Sequence, residues 1–136
     1  MLGEWCNLGA DTNNSNLKNN YSEVSVWDYV SKDYINTKEQ FIGICMGDHA
    51  KAGINTMFNT GTVIGAFANV YGADFPEKFI PDFSWGSLEN WQEHDFDKAM
   101  DMASKVMQRR KISLSLSDIE IYKHIFEKTR AYRSGK

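Results

Sequence analysis

The sequence predicts a mainly β protein: a triangular solenoid of short parallel strands with a helical tail. Three observations point there. The middle of the chain repeats every six residues, glycine and small residues recur at fixed places in the repeat, and helix-period apolar faces appear only near the end. Cut into sixes, the middle reads Met46 to Lys51, Ala52 to Met57, Phe58 to Val63, Ile64 to Asn69 and Val70 to Phe75. The first position is Met, Ala, Phe, Ile or Val. The second is glycine at Gly47, Gly53 and Gly65. The fifth is small at Ala50, Thr56, Thr62 and Ala68. Leu2-Gly3 and Leu8-Gly9 begin the same pattern at the N-terminus. An apolar first position would point inward, and a small fifth position would fit a crowded corner. The glycines would help the backbone turn. Three sixes make one layer of 18 residues, so Met46 should lie under Ile64, Gly47 under Gly65, Ala50 under Ala68 and Ala52 under Val70. An antiparallel sandwich is the rival, but period-two alternation is weak in these blocks.

The remaining elements follow in chain order. The repeat breaks at about 13–40. Five of the nine residues from Thr12 to Asn20 are Asn, a turn-forming composition. Tyr21 to Tyr29 then alternates around Val24, Val26 and Trp27, which suggests an extended arm or hairpin. After Phe75 come Pro76, Pro81 and the aromatics Phe79, Phe83, Trp85 and Trp91, read as a cover over the open end of the strands. Asp95 precedes apolar residues at 96, 99, 100, 103, 106 and 107, one helix face, with Arg109, Arg110 and Lys111 in its last turn. A second helix is expected from a capping pattern at Ser117 to Glu120, with a stripe of Ile119, Tyr122, Ile125, Phe126 and Thr129. The expected division is 1–86 for the repeat with its insertion and 87–136 for the helical extension.

Composition excludes several classes. With 136 residues, the chain has room for one ordinary domain and not for a typical nucleotide enzyme with a separate substrate domain. A hydrophobic fraction of 42% argues against disorder. No apolar run approaches the roughly 20 residues that span a bilayer, and Met1 to Trp5 do not read as a secretory signal. A soluble, cytoplasmic protein without a membrane partner is expected. Net charge is −3, which speaks against nucleic acid. The charge is uneven: residues 1–94 balance to −7 and residues 95–136 to +4. The basic end reads as a solvated face that could attract phosphates. Cys6 and Cys45 stand far apart and read as small buried hydrophobes rather than a disulfide framework.

The hexapeptide blocks, the segment from Leu8 to Asn19 and the Met46-Gly-Asp-His-Ala-Lys-Ala-Gly run together resemble the hexapeptide-repeat sugar transferases. The resemblance is greatest to the C-terminal part of GlmU-like enzymes, which acetylate glucosamine 1-phosphate and then uridylylate it. It covers about residues 2–86 and a helical tail. It implies a left-handed parallel β-helix, a homotrimer, and acetyl-CoA as acyl donor in a groove between subunits. It also implies a place in UDP-N-acetylglucosamine biosynthesis. Residue by residue, it implies that Asn7 contacts the sugar phosphate, Ala10 lines the coenzyme site, and Asn16 lies near the reacting amine and acetyl group. Leu17 stands where the family usually has Tyr, and Lys18 is the candidate for a loop Lys. The family's general-base His falls upstream of Leu2. The chain therefore reads as a C-terminal piece of a larger transferase, whose missing nucleotidyltransferase half would use Mg.

Acetyl transfer to an amine needs a base, an oxyanion donor and a groove that aligns the donor. Asn7 and Asn16 can orient groups but cannot serve as the base. His49, the one histidine inside the repeat, is the alternative base, though a corner position is its plainer reading. His94 and His124 read as structural or solvated. Zinc sites on hexapeptide folds use three histidines, so no metal site is expected. The second function class is a trimerising or regulatory module of a sugar-1-phosphate nucleotidyltransferase without acyl transfer. A stand-alone acyltransferase with another acceptor is the third.

Overall fold

The structure, a computed structural model, describes residues 1–133. The repeat blocks fold as two-residue strands joined by short turns. They are β1 (Asn7–Leu8) and β2 (Asn13–Asn14), then, past the hairpin β3 (Ser25–Asp28) and β4 (Asp33–Asn36), β5 (Cys45–Met46), β6 (Lys51–Ala52), β7 (Met57–Phe58), β8 (Val63–Ile64) and β9 (Asn69–Val70). Three further strands follow: β10 (Phe79–Ile80), β11 (Ser84–Ser87) and β12 (Asn90–Glu93).

The strands stack in parallel, layer on layer. Cys45 faces Val63 and Met46 faces Ile64, while Lys51 faces Asn69 and Ala52 faces Val70. These are the 18-residue partners that the repeat predicts. One sheet runs β1-β6-β9-β11-β12, a second β10-β8-β5, and a third is the pair β2-β7. The first position of every middle block is buried, from Met46 through Val70, and Ala50, Thr56, Thr62 and Ala68 fill the fifth. The two buried hydroxyls are not orphaned: Thr56 Oγ1 donates to the Gly53 carbonyl at 2.9 Å and Thr62 Oγ1 to the Asn59 carbonyl at 2.8 Å.

The expected fold class, mainly β with a left-handed parallel β-helix, is corrected here. The chain is mixed α/β. Among the described residues its strands fall in four small sheets, one of them the antiparallel hairpin β3-β4 and one closed by the antiparallel β12. Beside two-residue strands stand two helices of 13 residues each. The physical reason is that such short strands leave one side of the ladder apolar, and the helices are needed to cover it. Past Ile64 the register also shortens, because Val63 faces Phe79 and Asn69 faces Trp85, 16 residues on. Phe79 and Trp85 are therefore strand residues of the ladder rather than a cover leaving it.

The glycines also act differently from expectation. Left-handed backbone falls at the fourth position of the blocks: Trp5, Asp11, His49, Asn55, Gly61 and Phe67 all have φ between 58° and 68°. The second-position glycines answer close approach between layers. A Cβ on Gly47 would sit 2.7 Å from the Ala66 nitrogen, and one on Gly65 would sit 2.2 Å from the Asp82 nitrogen.

Helix α1 (Phe96–Gln108) starts at Asp95, whose Oδ1 accepts from the Lys98 amide at 2.9 Å. It buries Ala99, Met100, Ala103 and Met107, the expected face. Arg109 is its C-cap and Arg110 and Lys111 lie beyond it, so the cations follow the last turn rather than occupy it. Helix α2 (Leu116–Lys128) has its capping box at Ser115 and Asp118, two residues before the expected start. A short α3 (Arg130–Arg133) ends the described chain, so the last residues of the expected 87–136 extension lie outside it. Buried Arg133 donates to the Phe126 and Asp82 carbonyls and to Glu93, fastening the helices to the ladder. The hairpin folds back on the ladder: Trp27 stacks on Phe79 at 4.2 Å, and Tyr29 donates to Asp82 at 2.8 Å.

Candidate functional site: a cationic groove beside an aromatic column

The fourth positions of the layers stack as a column of rings. Phe83 lies flat on Phe67 at 4.7 Å, Phe67 on His49 at 4.7 Å, and His49 on Trp5 at 6.3 Å. The two 4.7 Å steps match the strand spacing, so the ladder sets them, and the step to Trp5 is wider. Helices α1 and α2 pack on this column with Ala99, Met100, Ala103 and Phe126. Where α1 ends beside Trp5, a groove of about 590 Å³ opens, lined by Trp5, Cys6, Asn7, Lys51, Val106, Arg109 and Arg110. Three cations converge there, and no acidic residue lines it.

Each cation is placed by an identifiable element. Lys51 is in β6, opposite Asn7 of β1. Its ammonium donates to the His49 carbonyl at 3.2 Å and to the Trp5 carbonyl at 3.4 Å, which fixes the head at the groove wall. Burial lowers the Lys51 pKa, and the neighbouring Cys6 opposes that. Burial raises the Cys6 thiol in turn, and its Sγ donates to the Gly47 carbonyl at 3.2 Å. Arg109 and Arg110 are exposed at the groove rim. The negative end of α1 lies nearby, but three full charges outweigh its roughly half charge. The arrangement suits an anion with several oxygens, since guanidinium forks match phosphate.

The sequence-derived site residues do not gather in one place. Asn7 lines the groove. Ala10 is exposed on the next turn, where its carbonyl accepts from Asn55. Asn16 is exposed on the insertion, its carbonyl accepting from Ile42. Lys18 is held within the same insertion, donating to the Glu23 carbonyl at 2.7 Å and to Ser22. None of these three lines the groove.

His49 does occupy a corner, at φ 59°. Only 3% of it is exposed, and neither ring nitrogen has a protein hydrogen-bond partner. Burial holds its pKa down at about 4, with Lys51 adding to the effect and Asp48 and Asp118 opposing it. Such a ring is a poor base near neutral pH. It faces a small gap of about 10 Å³ shared with His94, Lys51 and α1, not the groove. His94 is structural, its Nδ1 3.0 Å from the Phe67 carbonyl, and burial lowers its pKa too. His124 is exposed. Cys6 and Cys45 are half-buried free thiols rather than fully buried hydrophobes. Among the described residues no cluster of three His, Cys, Asp or Glu could hold a metal ion, and no helix is long and apolar enough to cross a membrane.

Sequence reasoning passed over Trp5, Lys51 and the arginine pair as one site. The available signal was an aromatic fourth position in successive layers, Trp5, His49 and Phe67, interrupted by the insertion. No model of a known protein family matches the chain. No curated protein matches it either.

Proposed function

We propose that the chain is a ligand-binding module of a transferase that handles phosphorylated sugars, of the sugar-1-phosphate nucleotidyltransferase kind, and performs no acyl transfer itself. The observation that carries this reading is the groove, which Asn7, Lys51, Arg109 and Arg110 line and no carboxylate does. The resemblance of the sequence to sugar transferases supplies the substrate class. A cytoplasmic location and a homotrimer belong to the same reading. Exposed Leu8, Ile54 and Tyr71 offer apolar surface for association, and sedimentation showing only monomers would remove the trimer.

One observation favours a second reading, N-acetylation of glucosamine 1-phosphate from acetyl-CoA. Asn7, the residue the resemblance assigns to the sugar phosphate, is the one that lines the groove. That reading needs a general base beside the sugar amine.

Calorimetric titration tests both. Glucosamine 1-phosphate is expected to saturate near one site per chain and to bind more weakly as salt rises. Acetyl-CoA added to the complex is expected to yield no acetylated sugar. Acetylated product would put the second reading in place of the first, and a folded chain that bound neither ligand would end both.

A further inference from the structure

We infer that the groove takes a nucleoside diphosphate, its base stacked on the outer face of Trp5 and its two phosphates among Lys51, Arg109 and Arg110. This deepens the reading above and rests on the groove being a phosphate site.

The aromatic column carries the inference. Three parallel contacts join Phe83, Phe67, His49 and Trp5, with interplanar angles of 9°, 13° and 20°. Trp5 ends the series: His49 covers one of its faces, and no other ring among the described residues meets Trp5. Trp5 is only half-buried and lines the groove. A flat heteroaromatic base laid on the outer face would continue the column. Such stacking tolerates any base, because every base has a π face.

The cations fit the rest of the ligand. Lys51, Arg109 and Arg110 line the groove together, a charge suited to a diphosphate. The groove, about 590 Å³, has the volume of a nucleotide-sized site.

The test titrates the full chain with UDP, ADP, inorganic pyrophosphate, glucosamine 1-phosphate and acetyl-CoA, following heat and tryptophan emission. At least one nucleoside diphosphate is expected to bind about tenfold tighter than pyrophosphate. Trp5→Leu should erase that advantage while pyrophosphate still binds, which also reports that the variant is folded. Trp5→Phe keeps a ring in the column and should keep most of the advantage. Arg109→Gln should weaken every phosphorylated probe. Preference for UDP over ADP would identify a nucleotide-sugar type of ligand, and ADP and acetyl-CoA binding above UDP would identify a coenzyme; both bear out the base-and-diphosphate chemistry. If pyrophosphate binds as tightly as the nucleotides, or Trp5→Leu keeps the ratio, the inference is overturned while glucosamine 1-phosphate binding leaves the module reading intact. If no phosphorylated probe binds the folded wild-type chain, both fall together.

Discussion

Two corners of the ladder share one backbone conformation and carry opposite side chains. At one corner Trp5, His49, Phe67 and Phe83 have φ between 55° and 59°. At the next, Asp11 and Asn55 both have φ 58°. Asp and Asn visit this region readily, because a short polar side chain can bond locally. Rings do not. The first corner is covered by α1 and α2, whereas Asp11 and Asn55 face solvent. The turn geometry is thus imposed by the stacked ladder, and the residue type follows what lies over the corner. Left-handed strain costs roughly 1–2 kcal/mol per residue. Burial of a large ring, at about 1.5–3 kcal/mol, and stacking, at about 0.5–1.5 kcal/mol, offset it only where helices exclude water.

Emptying the covered corner should have the largest effect. Phe67→Ala should cost about 3–5 kcal/mol in urea unfolding, because Phe67 touches His49, Phe83 and Tyr122 at once. A loss near that of an exposed site would mean that the column is not a core.

Acid should act on the same corner. The His49 pKa lies at about 4 in the folded chain, against about 6.5 when unfolded. The unfolded chain therefore takes up the proton first. His49's contribution is complete above pH 6.5 and is lost as pH falls towards 4, up to about 3 kcal/mol in all. His49→Phe should flatten the stability profile across that window. An unchanged slope between pH 6.5 and 4 would place the ring in water.

Next in size is the fastening at Asp82, beside Phe83. Burial raises the Asp82 pKa, while the Tyr29 hydroxyl and the Ala66 amide pull it down. Tyr29→Phe should cost about 2 kcal/mol at neutral pH and raise the Asp82 pKa further in a carboxyl titration by NMR. Smallest is the open corner: Asn55→Ala should cost about 1 kcal/mol and Asn55→Gly almost nothing. Equal losses for Asn55→Ala and Phe67→Ala would erase the distinction between the corners.

The repeat made much of the ladder legible. Met46 under Ile64 and Ala52 under Val70 follow from apolar residues at a fixed spacing, and the α1 face follows from its period. The mixed α/β class was harder to see, because nothing local says that a helix 30 residues away must cover Phe67. The second-position glycines misled for a related reason. Gly65 is required by the Asp82 backbone of the next layer, not by its own turn. The site was less legible still. Asn7, singled out by its motif, lines the groove, whereas Trp5, Lys51 and Arg109 come from three distant segments that only the fold joins. Ala10, Asn16 and Lys18 lie outside the groove lining.

Under the proposed function, α1 and the ladder together build a phosphate site that neither forms alone. The most direct measurement compares glucosamine 1-phosphate binding by wild type and by Arg109→Gln/Arg110→Gln at two salt concentrations. The double variant, altered only at exposed rim positions, should keep the wild-type fold, lose about tenfold or more in affinity and show a shallower salt dependence. Equal affinity and equal salt dependence in the two proteins would contradict the claim.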